Sequence, residues 1–194
     1  MNEVLNKLEE RRKNGKELYH SITVDGKRLN GRRNPMSRIN KLNTAGKYDF
    51  KNKKVLDIGC NIGGMLYDIY SEIDYGLGID RQENIDFCNI NKEFHDYSKL
   101  NFKVVNLENI NQFKNTISEG FDIVFFLAIS MHITTWKELL NLTKKHSKSL
   151  LYETNGESSK KQIEHLKTLY DKVVFLGYSE EDSKSKQREL YYCE

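Results

Sequence analysis

The chain has 194 residues, with 31 basic and 28 acidic side chains and a formal net charge of +3. That length suits one domain with a full core and a small appendage, and so balanced a charge does not single out a nucleic-acid binder. No apolar run reaches the roughly 18 residues of a membrane-spanning helix, residues 1–16 are charged without an apolar signal core, and Cys60, Cys88 and Cys193 form no C-x-x-C pair. A cytoplasmic chain is therefore expected, with no membrane segment, bound metal or disulfide.

Residues 1–18 read as a charged helix with Val4, Leu5 and Leu8 on one side. Residues 19–34 read as a loop or short hairpin, broken at Asp25-Gly26 and Asn30-Gly31. Asn34-Pro35 is a helix start, with Asn as cap and Pro in the first turn. Met36, Ile39, Asn40 and Leu42 would line one face of that helix. Residues 1–47 are thus expected to form a helical cover over a cleft, ahead of a domain at 48–194. From Lys54 onward, apolar strands at 55–58, 75–79, 102–108, 121–127 and 150–153 alternate with helical stretches. The helices are placed at 64–73, 83–94, 135–146 and 157–170, and 110–118 is left open. Such alternation predicts a parallel sheet with helices on both faces, a three-layer α/β/α sandwich. Residues 172–177 and 189–193 also read as strands, with no room for a helix between them. They are expected to pair as an antiparallel hairpin, completing a mostly parallel seven-stranded sheet.

One decapeptide carries most of the chemistry. Val55-Leu56-Asp57-Ile58-Gly59-Cys60-Asn61-Ile62-Gly63-Gly64 is a short strand running into a glycine-rich turn. A second strand then ends in Asp80, whose carboxylate suits ribose hydroxyls. This is the layout of a nucleoside-binding Rossmann half. A dinucleotide turn keeps its middle glycine bare so that backbone can touch pyrophosphate. Here that position is Asn61, which tolerates a left-handed backbone but would crowd a pyrophosphate. S-adenosylmethionine (SAM) has no phosphate. The turn resembles the first motif of the class I SAM-dependent methyltransferases, with one Gly replaced by Asn. Gly78-Ile79-Asp80, the strand at 102–108, the strand at 121–127 and Leu150-Leu151-Tyr152-Glu153 resemble that family's following pieces, in order and in spacing.

The resemblance implies a Rossmann-like fold and SAM as cofactor. It places Asp57, Gly59, Cys60, Asn61, Gly63, Asp80, Arg81, Asn106, Leu107 and Leu127 around that cofactor. Asp57 is either a partner for the methionine amino group or a structural acid fixing the turn. Among the basic residues of the cover, Arg32, Arg33 and Arg38, Arg38 is the preferred clamp for a carboxylate or phosphate; the alternative is a solvated basic face. Methyl transfer from a sulfonium is a displacement helped mainly by orientation, with a base needed only if the acceptor must lose a proton. His132, after the fourth strand, and Glu153, at the end of the fifth, are the catalytic candidates. Each has a structural alternative: His132 as a loop hydrogen-bonder, Glu153 as a carboxylate satisfying amides near Asn155-Gly156. Trp136 reads as a core or rim anchor.

Several reaction subtypes fit poorly. Amino-methylation of DNA bases carries an Asn/Asp-Pro-Pro-aromatic motif, and the only proline is Pro35. No cysteine lies near the fourth or fifth strand to serve cytosine-5 chemistry, and the fourth-strand loop offers no acid for a metal. Gly31-Arg32-Arg33-Asn34-Pro35, followed by Arg38, resembles the opening of Bin3-type RNA 5′-phosphate methyltransferases. It is also similar to small bacterial methyltransferases with metabolite or sugar acceptors. The expected activity is methylation of oxygen or nitrogen on a small polar acceptor. The alternatives are an RNA methyltransferase and a non-catalytic SAM-binding partner subunit.

Overall fold

A computed structural model describes residues 3–13, 18–24, 27–46, 48–155, 159–179 and 187–194. Strand β3 (Lys54–Ile58) lies at the centre of a seven-stranded sheet. Four of its five residues are buried, because both sides of the strand are covered. Val55 faces one apolar cluster, and Leu56 and Ile58 face the other.

Strands β4 (Tyr75–Asp80) and β5 (Leu100–Val104) extend the sheet to one side of β3. Strands β6 (Phe121–Leu127) and β7 (Ser147–Glu153) extend it to the other, and all five run parallel. The direction of winding therefore reverses between β3 and β6, and such a reversal opens a crevice at the carboxyl ends of the strands. Strands β8 (Val173–Tyr178) and β9 (Glu189–Cys193) form the expected antiparallel pair. β9 sits between β7 and β8, in the order β5-β4-β3-β6-β7-β9-β8.

The connecting helices are α3 (Gly64–Asp68), α4 (Gln82–Phe94), α5 (Ile110–Thr116), α6 (Trp136–His146) and α7 (Ser159–Leu169). The open region at 110–118 is thus helical, capped by Asn109, whose side chain accepts from Gln112 N, and anchored by buried Phe113. Helix α3 is shorter than its apolar spacing predicts. Turns through Glu72 follow it, and they keep Ile69 and Ile73 in the core. The third strand ends at Val104, not at Glu108. Asn106 Oδ1 accepts from Glu108 N, a local bond that turns the chain out of the sheet.

Ahead of the sheet lie α1 (Glu3–Lys13), the hairpin β1 (Ile22–Val24) and β2 (Lys27–Leu29), and α2 (Pro35–Thr44). The Asp25-Gly26 turn falls outside the described residues, as do Gly156 and most of the loop between β8 and β9. Asn34 caps α2 by accepting from Met36 N. The buried face of α2 is Pro35, Arg38, Ile39 and Leu42, so Arg38 takes the inward position expected of Asn40, which is exposed. Val4 and Leu8 hold the otherwise charged α1 against α4, each contributing about 1.5–3 kcal/mol on burial.

Candidate active site

The crevice holds a cavity of about 710 Å³. Its floor is the glycine turn. Gly59 (φ 74°), Asn61 (φ 51°) and Gly63 (φ 82°) all take left-handed backbone, so Asn61 fills a conformation that Asn tolerates better than most residues. A Cβ on Gly59 would lie 2.8 Å from Ile129 Cγ2, so the bare glycine lets the loop after β6 close over the turn. Asp80 holds the turn from the side. Its Oδ2 accepts from Asn61 N at 2.7 Å, and its Oδ1 accepts from Arg81 N at 2.7 Å and Asn84 Nδ2 at 2.9 Å. A carboxylate offers about four acceptor positions, which leaves room at Oδ2 for a ligand hydroxyl.

Beyond Asp80 the wall is Arg81, Gln82, Val104, Val105, Asn106, Leu107 and Glu108, an apolar slot with a polar rim. Glu108 ties this wall to the β6 loop by accepting from Thr134 N at 2.8 Å and Thr134 Oγ1 at 2.6 Å. Those bonds lower its pKa.

The opposite end is charged and buried. Asp57 is 2 % exposed, and its Oδ2 meets no donor among the described residues. Burial, and secondarily the nearby Asp80 charge, raise its pKa to about 8, although Arg38 pulls the other way. Arg38 is 1 % exposed and reaches the cavity from α2. Its Nη1 likewise has no acceptor among the described residues. His20 lines the same wall, and burial together with Arg38 and Arg33 lowers its pKa to about 3. Arg33 is buried without lining the cavity, and Arg32 is exposed.

The third wall is the loop after β6, with Leu127, Ala128, Ile129, His132 and Ile133. Ala128 is left-handed (φ 54°), held by Asn155 Nδ2 donating to its carbonyl at 2.7 Å. His132 ends a 3-10 turn, Ser130–His132, on the exposed rim. Tyr19 and Arg188 complete this end, with Arg188 Nη1 donating to Tyr19 Oη at 3.2 Å.

Two expectations are corrected. Glu153 does not line the cavity: it is fully buried behind Arg38, which donates Nε to Oε1 at 3.2 Å and Nη2 to Oε2 at 3.1 Å. The hydroxyl of Ser179 also donates to Oε1. A carboxylate so enclosed does not touch an acceptor and is not a catalytic residue. Cys60 turns its thiol into the core, where a Cβ on Gly78 would sit 2.9 Å from Sγ, so it offers a ligand no side chain. Trp136 is half-buried on α6, edge-on to His165.

Arg188 and Asn84 are additional wall residues. Arg188 had a readable signal, since an antiparallel β9 must begin at the ligand edge, where Leu190 pairs with Glu153.

No curated protein matches the sequence. Among solved structures, the N-terminal domain of EvdMO1, crystallised with S-adenosylhomocysteine (SAH) and D-fucose, superimposes with a TM-score of 0.71 at 13 % identity, covering 97 % of this chain and 96 % of that one. A longer EvdMO1 structure gives 0.70 at 14 % identity, covering 100 % of this chain and 48 % of that one. The bifunctional kinase-methyltransferase WbdD gives 0.72 at 19 % identity, covering 96 % and 45 %. The chain thus spans about half the length of those two larger proteins. The methyltransferase-domain family matches residues 49–191, and by that match the chain belongs to the class I, SAM-dependent methyltransferases.

Proposed function

We propose that the cavity transfers a methyl group from SAM to oxygen or nitrogen of a small polar acceptor. The observation that carries this reading is at one end, where two buried atoms, Asp57 Oδ2 and Arg38 Nη1, meet no partner among the described residues. A buried carboxyl oxygen and a buried guanidinium N–H left over from the Glu153 pair complement the ammonium and carboxylate of an amino acid. NAD has no such group. When bound, SAM supplies a methyl already activated on a sulfonium. The protein's part is to hold it: Asp57 for the ammonium, Arg38 for the carboxylate, Asp80 for ribose, and the slot at 104–107 for adenine. Gly59 and the left-handed Asn61 let backbone approach closely, and Arg81 and Leu127 flank the nucleoside.

The acceptor would enter between His132, Tyr19 and Arg188. There the work is mostly orientation, with His132 taking a proton where the acceptor has one to lose. A cytoplasmic setting belongs to the same reading, consistent with the buried free thiols Cys60, Cys88 and Cys193. No described helix is long and apolar enough to cross a membrane.

Calorimetric titration with SAH and with NADH tests the cofactor. SAH binding that Asp57→Asn weakens, without NADH binding, is expected; the reverse preference would overturn the reading. Labelled SAM offered with hydroxylated metabolites, sugars, small amines and RNA then tests the acceptor. Label on RNA alone would favour the RNA alternative. Turnover restored only by a co-purifying protein would favour a partner subunit. His132→Ala is expected to lower turnover by about 10²-fold or more while leaving SAH affinity unchanged; undiminished turnover at every pH would remove His132 from the chemistry.

A further inference from the structure

Arg38 carries a planar fork of donors on a flexible stem. Left alone, such a side chain samples many rotamers and would fold back onto water or onto Asp57. Here the fork is already half used. Nε and Nη2 grip the two oxygens of Glu153 at 3.2 and 3.1 Å, and that bidentate grip fixes the plane of the guanidinium. Glu153 is itself fixed. It ends strand β7, it is fully buried, and Ser179, just past β8, donates to its Oε1. What remains is Nη1, on the side of the fork away from Glu153, in a side chain that lines the cavity.

We infer that Glu153 is a positioning residue for the cofactor: it orients Arg38 so that Nη1 is presented, already ordered, to the methionine carboxylate. This rests on the reading of the cavity as a SAM site. Ser179 supports the same arrangement by holding Oε1. Two consequences follow from the geometry. A ligand carboxylate would meet Arg38 from its Nη1 end, because Glu153 occupies the Nε side. The pair also lets a cation stay buried without a ligand: without Glu153, Arg38 would be an uncompensated buried charge.

The test uses two ligands that share the nucleoside but not the amino-acid group. SAH carries the carboxylate and ammonium; 5′-methylthioadenosine carries neither. Both are titrated calorimetrically into the wild-type chain, Glu153→Gln and Glu153→Asp. Glu153→Asp keeps the charge but withdraws it by one methylene, so it remains informative should Glu153→Gln fail to fold. Both variants are expected to weaken SAH by about tenfold and to leave 5′-methylthioadenosine within about twofold of wild type. Equal weakening of both ligands would mean that Glu153 only supports the fold, and unchanged SAH affinity would mean that Arg38 needs no guide; either overturns the inference while leaving the cofactor assignment intact. Failure of the wild-type chain to bind SAH would overturn the cofactor assignment and the inference with it.

Discussion

Asp57 makes the electrostatics of the cavity measurable in solution. Its pKa is about 8 in the folded chain, against 3.8 as the reference value. The folded state therefore holds a proton that the unfolded state has lost, and stability declines as pH rises between those values. His20 works in the opposite sense. Its folded pKa is about 3 against 6.5, so stability is lost as pH falls below 6.5. Above 6.5 the Asp57 contribution acts without that opposition. Denaturant midpoints measured from pH 6.5 to 8 are expected to decline in the wild-type chain, and Asp57→Asn should flatten that decline. Binding of the cofactor's ammonium should drive the Asp57 proton out. SAH affinity is then expected to rise through this pH range, with proton release visible as a dependence of the binding heat on buffer. The sequence made Asp57, Asp80 and the turn legible because each depends on neighbours close in the chain. It concealed the role of Glu153, whose partner Arg38 lies 115 positions away. No local pattern distinguishes a carboxylate that touches substrate from one that holds an arginine.

The elements show where side chains override periodicity. The stretch Phe102-Lys103-Val104-Val105 continues a strand-like pattern, yet the chain leaves the sheet after Val104, where Asn106 and Gln112 supply competing partners: Gln112 Oε1 accepts from Asn106 N at 2.9 Å. The loop after β6 depends similarly on Asn155, which binds Ala128 O at 2.7 Å and accepts from Met131 N at 3.4 Å. Asn155→Ala should cost about 1–3 kcal/mol, since it leaves a buried carbonyl unsatisfied. It should also lower turnover by displacing His132, which chemical denaturation and kinetics on the same sample would separate. Docking of the N-terminal elements rests on Gly64. A Cβ there would lie 2.8 Å from His20 Cβ and 3.1 Å from Pro35 Cγ. Gly64→Ala is therefore expected to cost about 1–3 kcal/mol by overpacking and to weaken SAH by shifting Arg38. An unchanged denaturation midpoint would show that the segment yields without cost.

At the scale of the whole molecule, the N-terminal elements and the sheet share one interior. Val4, Leu8, Leu18, Ile22, Val24, Ile39 and Leu42 belong to the same buried cluster as Val55, Met65 and Phe125. Unfolding is then expected to be a single transition, with backbone and aromatic circular dichroism changing together; an early separate phase would show that the cover unfolds by itself. Saturating SAH at about a hundred times its dissociation constant should add about 2.7 kcal/mol. The strand order has a last consequence, for the chain during its synthesis. β9 follows every other strand of the sheet in sequence, yet its place is interior, between β7 and β8. While the ribosome still encloses residues 189–193, β8 has no strand to pair with, and Arg188 cannot reach Tyr19. The nascent chain can assemble the glycine turn and Asp80 early, but it closes the acceptor end of its cavity only when that strand emerges and slides into the waiting slot.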